Sequence, residues 1–317
     1  MPSHHDISSL KHKLNNFIGI IKKLINTIIY ITDFQKIHPR KWIVGIFSYS
    51  RYIGYIRPHL LTNDDDEFKL RRQLLAAAWQ PKILRAPVGR RLLALSPHSD
   101  DESIGAGGIL LAHRNLAQIH LVCLTDGAGG GDLGEETGGK SLVEVRREEF
   151  MKTAKCLNAA SVHMLDFPDG NIPCEATAVS QLRALVREIQ PDVVLLPWFL
   201  DGHKDHRRAN ILYARSCADI DAIVLGYEIW SMLEPNVFFD ISEISDLKID
   251  LISNYKSQLR TVDYVSYAVG LAKVRAYQAS LNPRRSGAAE AFMALPNKDY
   301  CELISSLYGL TRDASES

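Results

Sequence analysis

The stretch LLALSPHSDDE (residues 92–102) joins a short apolar run to a polar, acidic turn, and a helical pattern follows at 103–115. Short apolar runs and amphipathic segments alternate from there to about residue 280. The predicted strands are 92–96, 118–125, 161–167, 192–198, 222–227 and 237–241. The predicted helices are 103–115, 142–157, 176–189, 206–217 and two more near 243–257 and 266–281. This alternation favours right-handed βαβ crossovers, so we expect an α/β, Rossmann-like fold with a mainly parallel sheet and helices on both faces.

The first 84 residues precede this alternation and are interpreted as a helical N-terminal extension to one domain over residues 85–317. Apolar residues recur at helical spacing between residues 14 and 28, with lysines on the other side. Two interpretations stay open for residues 10–32: a helix packed on the main body, and peripheral contact with a membrane surface. No apolar stretch near the start reaches the roughly 18–20 residues that span a bilayer, and no small-residue cleavage site of a secretory signal follows.

The composition is that of an ordinary globular protein. Of the 317 residues, 37 are Lys or Arg and 37 are Asp or Glu, so bulk charge does not favour a nucleic-acid partner. The five cysteines are scattered and form no C-x-x-C pair, which argues against a disulfide framework and a cysteine-rich zinc site. We therefore expect a cytoplasmic protein, whose membrane association would depend on residues 10–32.

The turn after the first predicted strand carries a histidine and three acids: His98, Asp100, Asp101 and Glu102. In a parallel sheet this is the carboxyl edge, where ligand sites form. Crowded carboxylates repel one another, and a bound cation would offset that cost. His98 and Asp101 can aim at one metal, which leaves Asp100 for a water molecule. Capping of the following helix by Ser99 or Asp100 is the alternative, but a cap explains neither the histidine nor the row of acids.

A second polar stretch, DGHKDH (residues 201–206), follows the predicted strand 192–198 and precedes a helix. The βαβ arrangement puts both stretches on the same edge of one sheet. His98, Asp101 and His206 would then form a three-ligand N/O set with an open position, the form of a catalytic zinc site. The alternative is a solvated loop in which His203 and His206 are incidental.

Together, PHSDDE (97–102) and HKDH (203–206) resemble the signature of the LmbE/PIG-L family of zinc-dependent de-N-acetylases. The resemblance covers roughly residues 90–300. It includes three further landmarks: Arg146-x-x-Glu149, FPDG (167–170) and AEAF (289–292). Ser99 replaces the second proline of the usual PHPDDE pattern. That position is a spacer between ligands, so we expect a change in loop rigidity only.

The resemblance implies a role for each residue of the two motifs. It implies one zinc ion per chain, with another divalent metal such as iron as an open alternative. The implied ligands are His98, Asp101 and His206. Asp100 is implied as the general base and His203 as the group that stabilises the oxyanion.

Four further residues receive supporting roles from the same resemblance. Arg146 and Asp169 are implied to bind substrate hydroxyls. Asp205 is implied to orient a histidine, and Glu102 to support the metal loop.

The activity that the resemblance implies is removal of the acetyl group from an N-acetylated sugar or glycoconjugate, either a small molecule or lipid-linked. Zinc can lower the pKa of its bound water to about 7 and polarise the acetyl carbonyl. Either Asp100 or His203 would protonate the leaving amine. A catalytically silent module that binds metal and sugar is the rival interpretation, against which the retained Asp100 argues. The acceptor and the oligomeric state stay open.

Two other features have competing interpretations. Residues 134–141 fit the phosphate-binding pattern G-x-x-x-x-G-K-S, which would make the chain a nucleotide-binding protein. The context is wrong, because the pattern does not begin directly after a strand and Glu135 and Glu136 would oppose phosphate. Trp198 and Trp230 lie near predicted strand ends; stacking on a sugar ring is one role, and core packing is the one that we expect.

Overall fold

A computed structural model describes residues 81–86, 88–129, 139–281 and 287–310. Their strands are β1 (Lys82–Leu84), β2 (Arg91–Ser96), β3 (Gln118–Thr125), β4 (Ser161–Phe167), β5 (Val193–Pro197), β6 (Ile223–Tyr227), β7 (Val237–Asp240) and β8 (Ala289–Pro296). Their helices are α1 (Asp101–His113), α2 (Leu142–Cys156), α3 (Ala176–Ile189), α4 (Lys204–Cys217), α5 (Ser245–Ile252), α6 (Lys256–Leu259), α7 (Tyr264–Gln278) and α8 (Asn297–Tyr308).

The strands form one eight-stranded sheet in the order β1-β7-β8-β6-β5-β2-β3-β4. All neighbours are parallel except β8, which runs antiparallel to both β6 and β7. This confirms the predicted α/β fold with a mainly parallel sheet. None of the helices within the described ranges has the length and apolar character to cross a bilayer.

The predicted elements occur within a few residues of their expected bounds, with four differences. The helix predicted near 243–257 is two helices, α5 and α6. Strands β1 and β8 and helix α8 were not predicted from periodicity. Residues 1–80, and with them the candidate membrane segment 10–32, lie outside the described residues, so the division into two domains stays a prediction.

The strands at the centre of the sheet carry apolar residues on both faces. Leu92 and Ala94 of β2 pack in one buried cluster with Ile109 and Leu110 of α1, while Leu93 is buried in the same strand. Such continuous apolar runs are typical of parallel strands covered on both sides. The core therefore packs β2 firmly against α1.

Pairing of β2 with β5 places the two polar stretches side by side. Leu92 pairs with Val193 and Ala94 with Leu195 in a parallel register. The carboxyl ends of both strands therefore lie at the same edge, and the loops that leave them are neighbours in space although about a hundred residues separate them in the chain.

Helix α1 approaches the end of β6 closely because it contains glycine where the two meet. A Cβ atom on Gly105 would lie 2.2 Å from Cδ2 of Tyr227 and 2.9 Å from the carbonyl oxygen of Glu228. The contact holds the start of α1 against the segment that follows β6.

A buried ion pair anchors the segment after β6. Arg275 is 2% exposed and Glu228 is 3% exposed, and their charged groups form two hydrogen bonds. Glu228 Oε1 also accepts from Leu233 N at 2.7 Å, and Arg275 Nη2 donates to the Leu233 carbonyl oxygen at 2.8 Å. Both ends of residues 228–233 are therefore tied to α7.

Candidate active site

The first polar stretch occupies the turn between β2 and α1. Asp100 stands at the N-cap position of α1, yet its side chain makes no capping hydrogen bond. The alternative interpretation, in which Asp100 caps this helix, therefore does not hold for its side chain, which is buried. Since a cap does not account for a buried acid at this position, another function has to explain it.

The second polar stretch lies between β5 and α4 and is not a solvated loop. His206 is completely buried, and His203 is partly buried at the N-cap of α4. The Nδ1 atom of His203 accepts a hydrogen bond from Asp205 N at 3.2 Å. Both histidines therefore have defined positions.

The side chains of the two stretches meet at one carboxylate oxygen. Asp101 Oδ2 lies 3.3 Å from His98 Nδ1 and 3.4 Å from His206 Nε2. His203 completes a cluster of three imidazoles, with its ring centroid 4.8 Å from that of His98 and 4.9 Å from that of His206. The structure thus brings together the three implied ligands and the implied oxyanion group.

The donor set fits a divalent metal ion. Both ring nitrogens of His206 are buried, and neither has a hydrogen bond of good geometry among the described residues, although carboxylate oxygens of Asp201 and Asp101 lie 3.1 and 3.4 Å away. Such buried nitrogens are costly unless another group satisfies them. Among the described residues, two trios have donor atoms within 4.8 Å of one another. They are His98 with His203 and His206, and His98 with Asp169 and Asp205. Imidazole and carboxylate donors together suit zinc or iron.

The environment shifts the pKa values of two adjacent carboxyl groups in opposite directions. Burial and the neighbouring charge of Asp101 raise the pKa of Asp100 to about 8. Burial acts in the same direction on Asp101, but the imidazoles of His206 and His98 outweigh it and hold the pKa of Asp101 well below its usual range. Two neighbouring acids with opposite shifts are typical of a site that assigns them different roles.

The histidines respond to the same charges. Burial lowers the pKa of His206, but the carboxylates of Asp101 and Asp201 outweigh it and raise this pKa to about 9. The pKa of His203 is lowered, by burial and then by the neighbouring His98 and His206. His203 is therefore the imidazole that stays neutral most readily.

His98 lies among three carboxylates. Its Nε2 is 3.3 Å from Asp169 Oδ1 and 3.2 Å from Asp205 Oδ2, while its Nδ1 faces Asp101. Asp205 Oδ2 also accepts from Gly170 N at 2.7 Å. Asp205 therefore joins the turn after β4 to the start of α4, in contact with the histidine that it is expected to orient.

The Glu102 carboxylate forms its hydrogen bonds with residues other than the implied ligands. Its buried carboxylate accepts hydrogen bonds from Ser96 Oγ at 2.9 Å, from Ser103 Oγ at 2.7 Å and from the Tyr255 hydroxyl. Burial raises the pKa of Glu102. The residue ties the end of β2 to the first turn of α1, which agrees with its expected supporting role.

The two residues expected to bind substrate contact each other beside His98. Arg146 Nη1 lies 3.5 Å from Asp169 Oδ2 and donates to the Gly127 carbonyl oxygen at 2.7 Å, while Nη2 donates to Gln258 Oε1 at 2.6 Å. The hydrogen bond with His98, above all, lowers the pKa of Asp169 to about 2. Most of the guanidinium is thus engaged within the protein.

Asp201 is a residue of the site to which the sequence interpretation gave no role. It is completely buried, and its Oδ1 lies 3.1 Å from His206 Nδ1 and accepts from His203 N at 2.8 Å. Its Oδ2 accepts from the backbone N–H groups of Trp230 and Ser231 at 2.8 and 3.0 Å. Its position shortly after a strand and two residues before His203 is the feature of the sequence that could have indicated a role in the site.

The two tryptophans differ. Trp198 is 3% exposed, which confirms its predicted core packing. Trp230 is 51% exposed, so the same prediction is wrong for Trp230. Trp230 lies beyond the end of β6, and outside a strand an apolar residue in the sequence does not predict a buried side chain.

The nucleotide-binding pattern lies largely outside the described residues, and its described end has other contacts. Lys140 Nζ pairs with Glu148 at 2.6 Å, and Ser141 forms a capping box with Glu144 at the start of α2. These contacts favour a helix start over a phosphate site.

Comparison with known proteins agrees with the geometry. The family model described as GlcNAc-PI de-N-acetylase (PIG-L) matches residues 93–216, which include both polar stretches. Diacetylchitobiose deacetylase of Thermococcus kodakarensis is 31% identical over 189 residues, covering 53% of this chain and 70% of that protein. A Bacillus cereus protein named "Probable N-acetyl-alpha-D-glucosaminyl L-malate deacetylase 2" is 24% identical over 184 residues, covering 53% of this chain and 84% of that protein.

A solved structure shares the fold. N,N'-diacetylchitobiose deacetylase from Pyrococcus horikoshii superposes with a TM-score of 0.59 at 22% identity, over 76% of this chain and 96% of that chain. The described relatives are deacetylases, and the identity to the Thermococcus protein extends over more than two thirds of its length. On this evidence the chain belongs to the PIG-L/LmbE family of de-N-acetylases.

Proposed function

We propose that this chain is a metal-dependent hydrolase that removes the acetyl group from an N-acetylated sugar or glycoconjugate. One observation carries the proposal: His98 and His206 meet at Oδ2 of Asp101. The next residue, Asp100, is buried and does not cap α1. The deacetylases to which the chain is related support the same reaction class, cleavage of a carbon–nitrogen bond in a linear amide.

The residues proposed to hold the metal are His98, Asp101 and His206, one ion per chain. Zinc there would polarise the acetyl carbonyl and make a water molecule easier to deprotonate. Iron or another divalent metal with N/O preference suits the same donors. Asp201 would hold the proton on His206 Nδ1, because its carboxylate oxygen lies 3.1 Å from that nitrogen, and this would leave the Nε2 lone pair for a metal.

Asp100 is proposed to move the proton. It would take a proton from the attacking water as the new carbon–oxygen bond forms at the acetyl carbon. The carbon–nitrogen bond then breaks, and the same proton passes from Asp100 to the leaving nitrogen. Acetate and a free amine are the products, and Asp100 ends as it began. Burial and the charge of Asp101 raise the pKa of Asp100 to about 8 in the metal-free chain, and a bound cation would lower it towards the neutral range in which one carboxyl group can act as both base and acid.

His203 is proposed to donate to the oxyanion. Asp205 N donates to its Nδ1, so the proton of a neutral ring lies on Nε2. The lowered pKa keeps the ring neutral, and Nε2–H can then donate to the oxygen that gains charge during attack. Arg146 and Asp169 are proposed to contact substrate hydroxyls at the side of His98.

The substrate is proposed to be a small or lipid-linked N-acetyl amino sugar in the cytoplasm. All five cysteines are free thiols, which agrees with a reducing compartment. Peripheral membrane contact through residues 10–32 remains a second proposal. A chain without those residues should then fail to float with liposomes that carry the full chain; equal flotation of both would exclude this contact.

Acetate release tests the function directly. The zinc-loaded protein is offered a panel of N-acetylhexosamine conjugates, with and without a chelator. We expect acetate release that the chelator abolishes and that Asp100→Asn lacks. If the loaded protein binds metal and sugar yet releases no acetate from any conjugate, the hydrolase proposal fails in favour of a silent binding module.

A further inference from the structure

The segment that follows β6 carries an exposed indole. Trp230 is 51% and Met232 56% exposed, whereas Ile229 and Leu233, which flank these residues in the chain, are 2% and 4% exposed. Burying a large aromatic side chain normally stabilises a protein, so a tryptophan that the fold holds in solvent is a candidate ligand contact.

The backbone of this segment is fixed although the indole is exposed. Trp230 N and Ser231 N both donate to Asp201 Oδ2, at 2.8 and 3.0 Å. The hydroxyl of Tyr267 donates to the carbonyl oxygen of Ile229. A ring presented by a fixed backbone loses little conformational entropy when a ligand covers it.

The backbone that carries the indole is joined to the reaction centre. The carboxylate that holds Trp230 N is the one whose other oxygen lies 3.1 Å from His206 Nδ1. Tyr264, the first residue of α7, makes an edge contact with the indole, with ring centroids 5.9 Å apart and an interplanar angle of 68°. Burial and then the Asp100 carboxylate raise the pKa of Tyr264, which agrees with a phenol near the catalytic acid.

We propose that Trp230 and Tyr264 form a subsite for a second sugar ring, linked to the ring that carries the acetamido group. The inference rests on the proposed function and narrows its substrate to a glycosidically extended amino sugar. A pyranose offers a face of C–H groups to an aromatic ring and keeps hydroxyls at its rim. That suits two aromatic rings bordered by the charged groups of the centre. An acyl chain would instead need a continuous apolar groove.

Kinetics with matched substrates test the subsite. N-acetylglucosamine, N,N'-diacetylchitobiose and octyl N-acetylglucosaminide are compared on the zinc-loaded wild type, Trp230→Ala and Trp230→Phe. We expect Trp230→Ala to lower kcat/KM for the disaccharide roughly tenfold more than for the monosaccharide, mainly through KM. Trp230→Phe should recover most of this loss. Tyr277→Ala is the matched control, because Tyr277 is 77% exposed at the far end of α7.

Three results would overturn the subsite. They are an equal loss for both sugars, no loss for the disaccharide, and a loss confined to the octyl glycoside, which would identify an apolar occupant. Normal zinc content and thermal unfolding of Trp230→Ala show whether that variant is folded. If it is not, Tyr264→Ala replaces it in the comparison, with Tyr264→Phe as the control that keeps the ring. A disaccharide affinity that Tyr264→Ala leaves unchanged then overturns the subsite.

Binding separates this proposal from the hydrolase proposal. Calorimetry on zinc-loaded Asp100→Asn, with and without Trp230→Ala, measures sugar affinity without turnover. The subsite requires that the alanine weakens the disaccharide more than the monosaccharide. If it does so while the wild type releases no acetate, hydrolysis fails and the subsite stands. Equal affinities, or no disaccharide binding to the zinc-loaded chain, overturn the subsite whatever the activity.

Discussion

Asp201 Oδ1 lies 3.1 Å from His206 Nδ1, in a completely buried pair of side chains. Burial would raise the pKa of Asp201, but the interactions with His206 outweigh it and lower that pKa, so the carboxylate stays charged. The same group accepts three backbone N–H bonds, from His203, Trp230 and Ser231. One carboxylate therefore sets the direction of an implied metal ligand and the position of the segment after β6.

Replacement of this carboxylate should weaken metal binding. Asp201→Asn keeps the shape but removes the charge that holds the proton on His206 Nδ1. We expect zinc affinity to fall about 10- to 100-fold, measured by competition with a chromophoric chelator. Asp219→Asn, whose carboxylate is 57% exposed, serves as the control and should bind zinc normally. An unchanged affinity of Asp201→Asn, in a variant whose chelated form unfolds as the wild type does, would contradict this role.

After a chelator has removed the metal, the protein should become more stable against unfolding at alkaline pH when Asp100 is replaced. The folded pKa of Asp100 is about 8 against an ordinary 3.8, so its protonated form favours folding, and that contribution is lost as pH rises between these values. Asp100→Asn cannot ionise. At pH 8 the chelated variant should therefore exceed the chelated wild type by more than about 1 kcal/mol, since one pKa unit corresponds to about 1.4 kcal/mol.

Urea unfolding at two pH values checks this prediction. At pH 4 most of the difference should disappear, because the wild-type carboxyl group is then largely protonated in the folded chain and about half protonated in the unfolded one. Unfolding midpoints of the two proteins that coincide at pH 8 would show that Asp100 is not destabilised by its surroundings.

Two helical glycines should respond oppositely to alanine. Gly105 of α1 has Tyr227 2.2 Å from the position of an added Cβ, so Gly105→Ala should destabilise the protein by about 1–3 kcal/mol. Gly270 of α7 has no atom of the described residues within 4 Å of that position, so Gly270→Ala should stabilise the protein by roughly 0.5–1 kcal/mol. Denaturant unfolding measures both, and the same sign for the two variants would contradict the packing of α1 against β6.

Much of the fold could be predicted from the sequence because its strands are short apolar runs between amphipathic helices. Strand β8 was missed because it runs antiparallel beside β6, and a pairing between distant segments leaves no local period. Strand β1, at three residues, is too short to show a pattern. The helix predicted near 243–257 could not be divided from the sequence, since the turn at 253–255 interrupts it without glycine or proline.

Part of the site could also be predicted from the sequence, for a different reason. His98, Asp101 and His206 could be assigned to one edge of the sheet, because parallel strands end together. The direct pairing of β2 with β5 that makes them neighbours depends on strand order, which the sequence does not state. The role of Asp201 could not be predicted, because two of its contacts come from backbone groups about 30 residues away.

The central claim is that both loops bind one divalent ion beside Asp100, and the zinc content of purified variants tests it most directly. Zinc per chain is measured by atomic emission after equilibration with a slight excess of metal and gel filtration. We expect about one zinc in the wild type and in Asp100→Asn, and loss of most of it in His206→Ala. Full zinc content in a folded His206→Ala protein would contradict the claim.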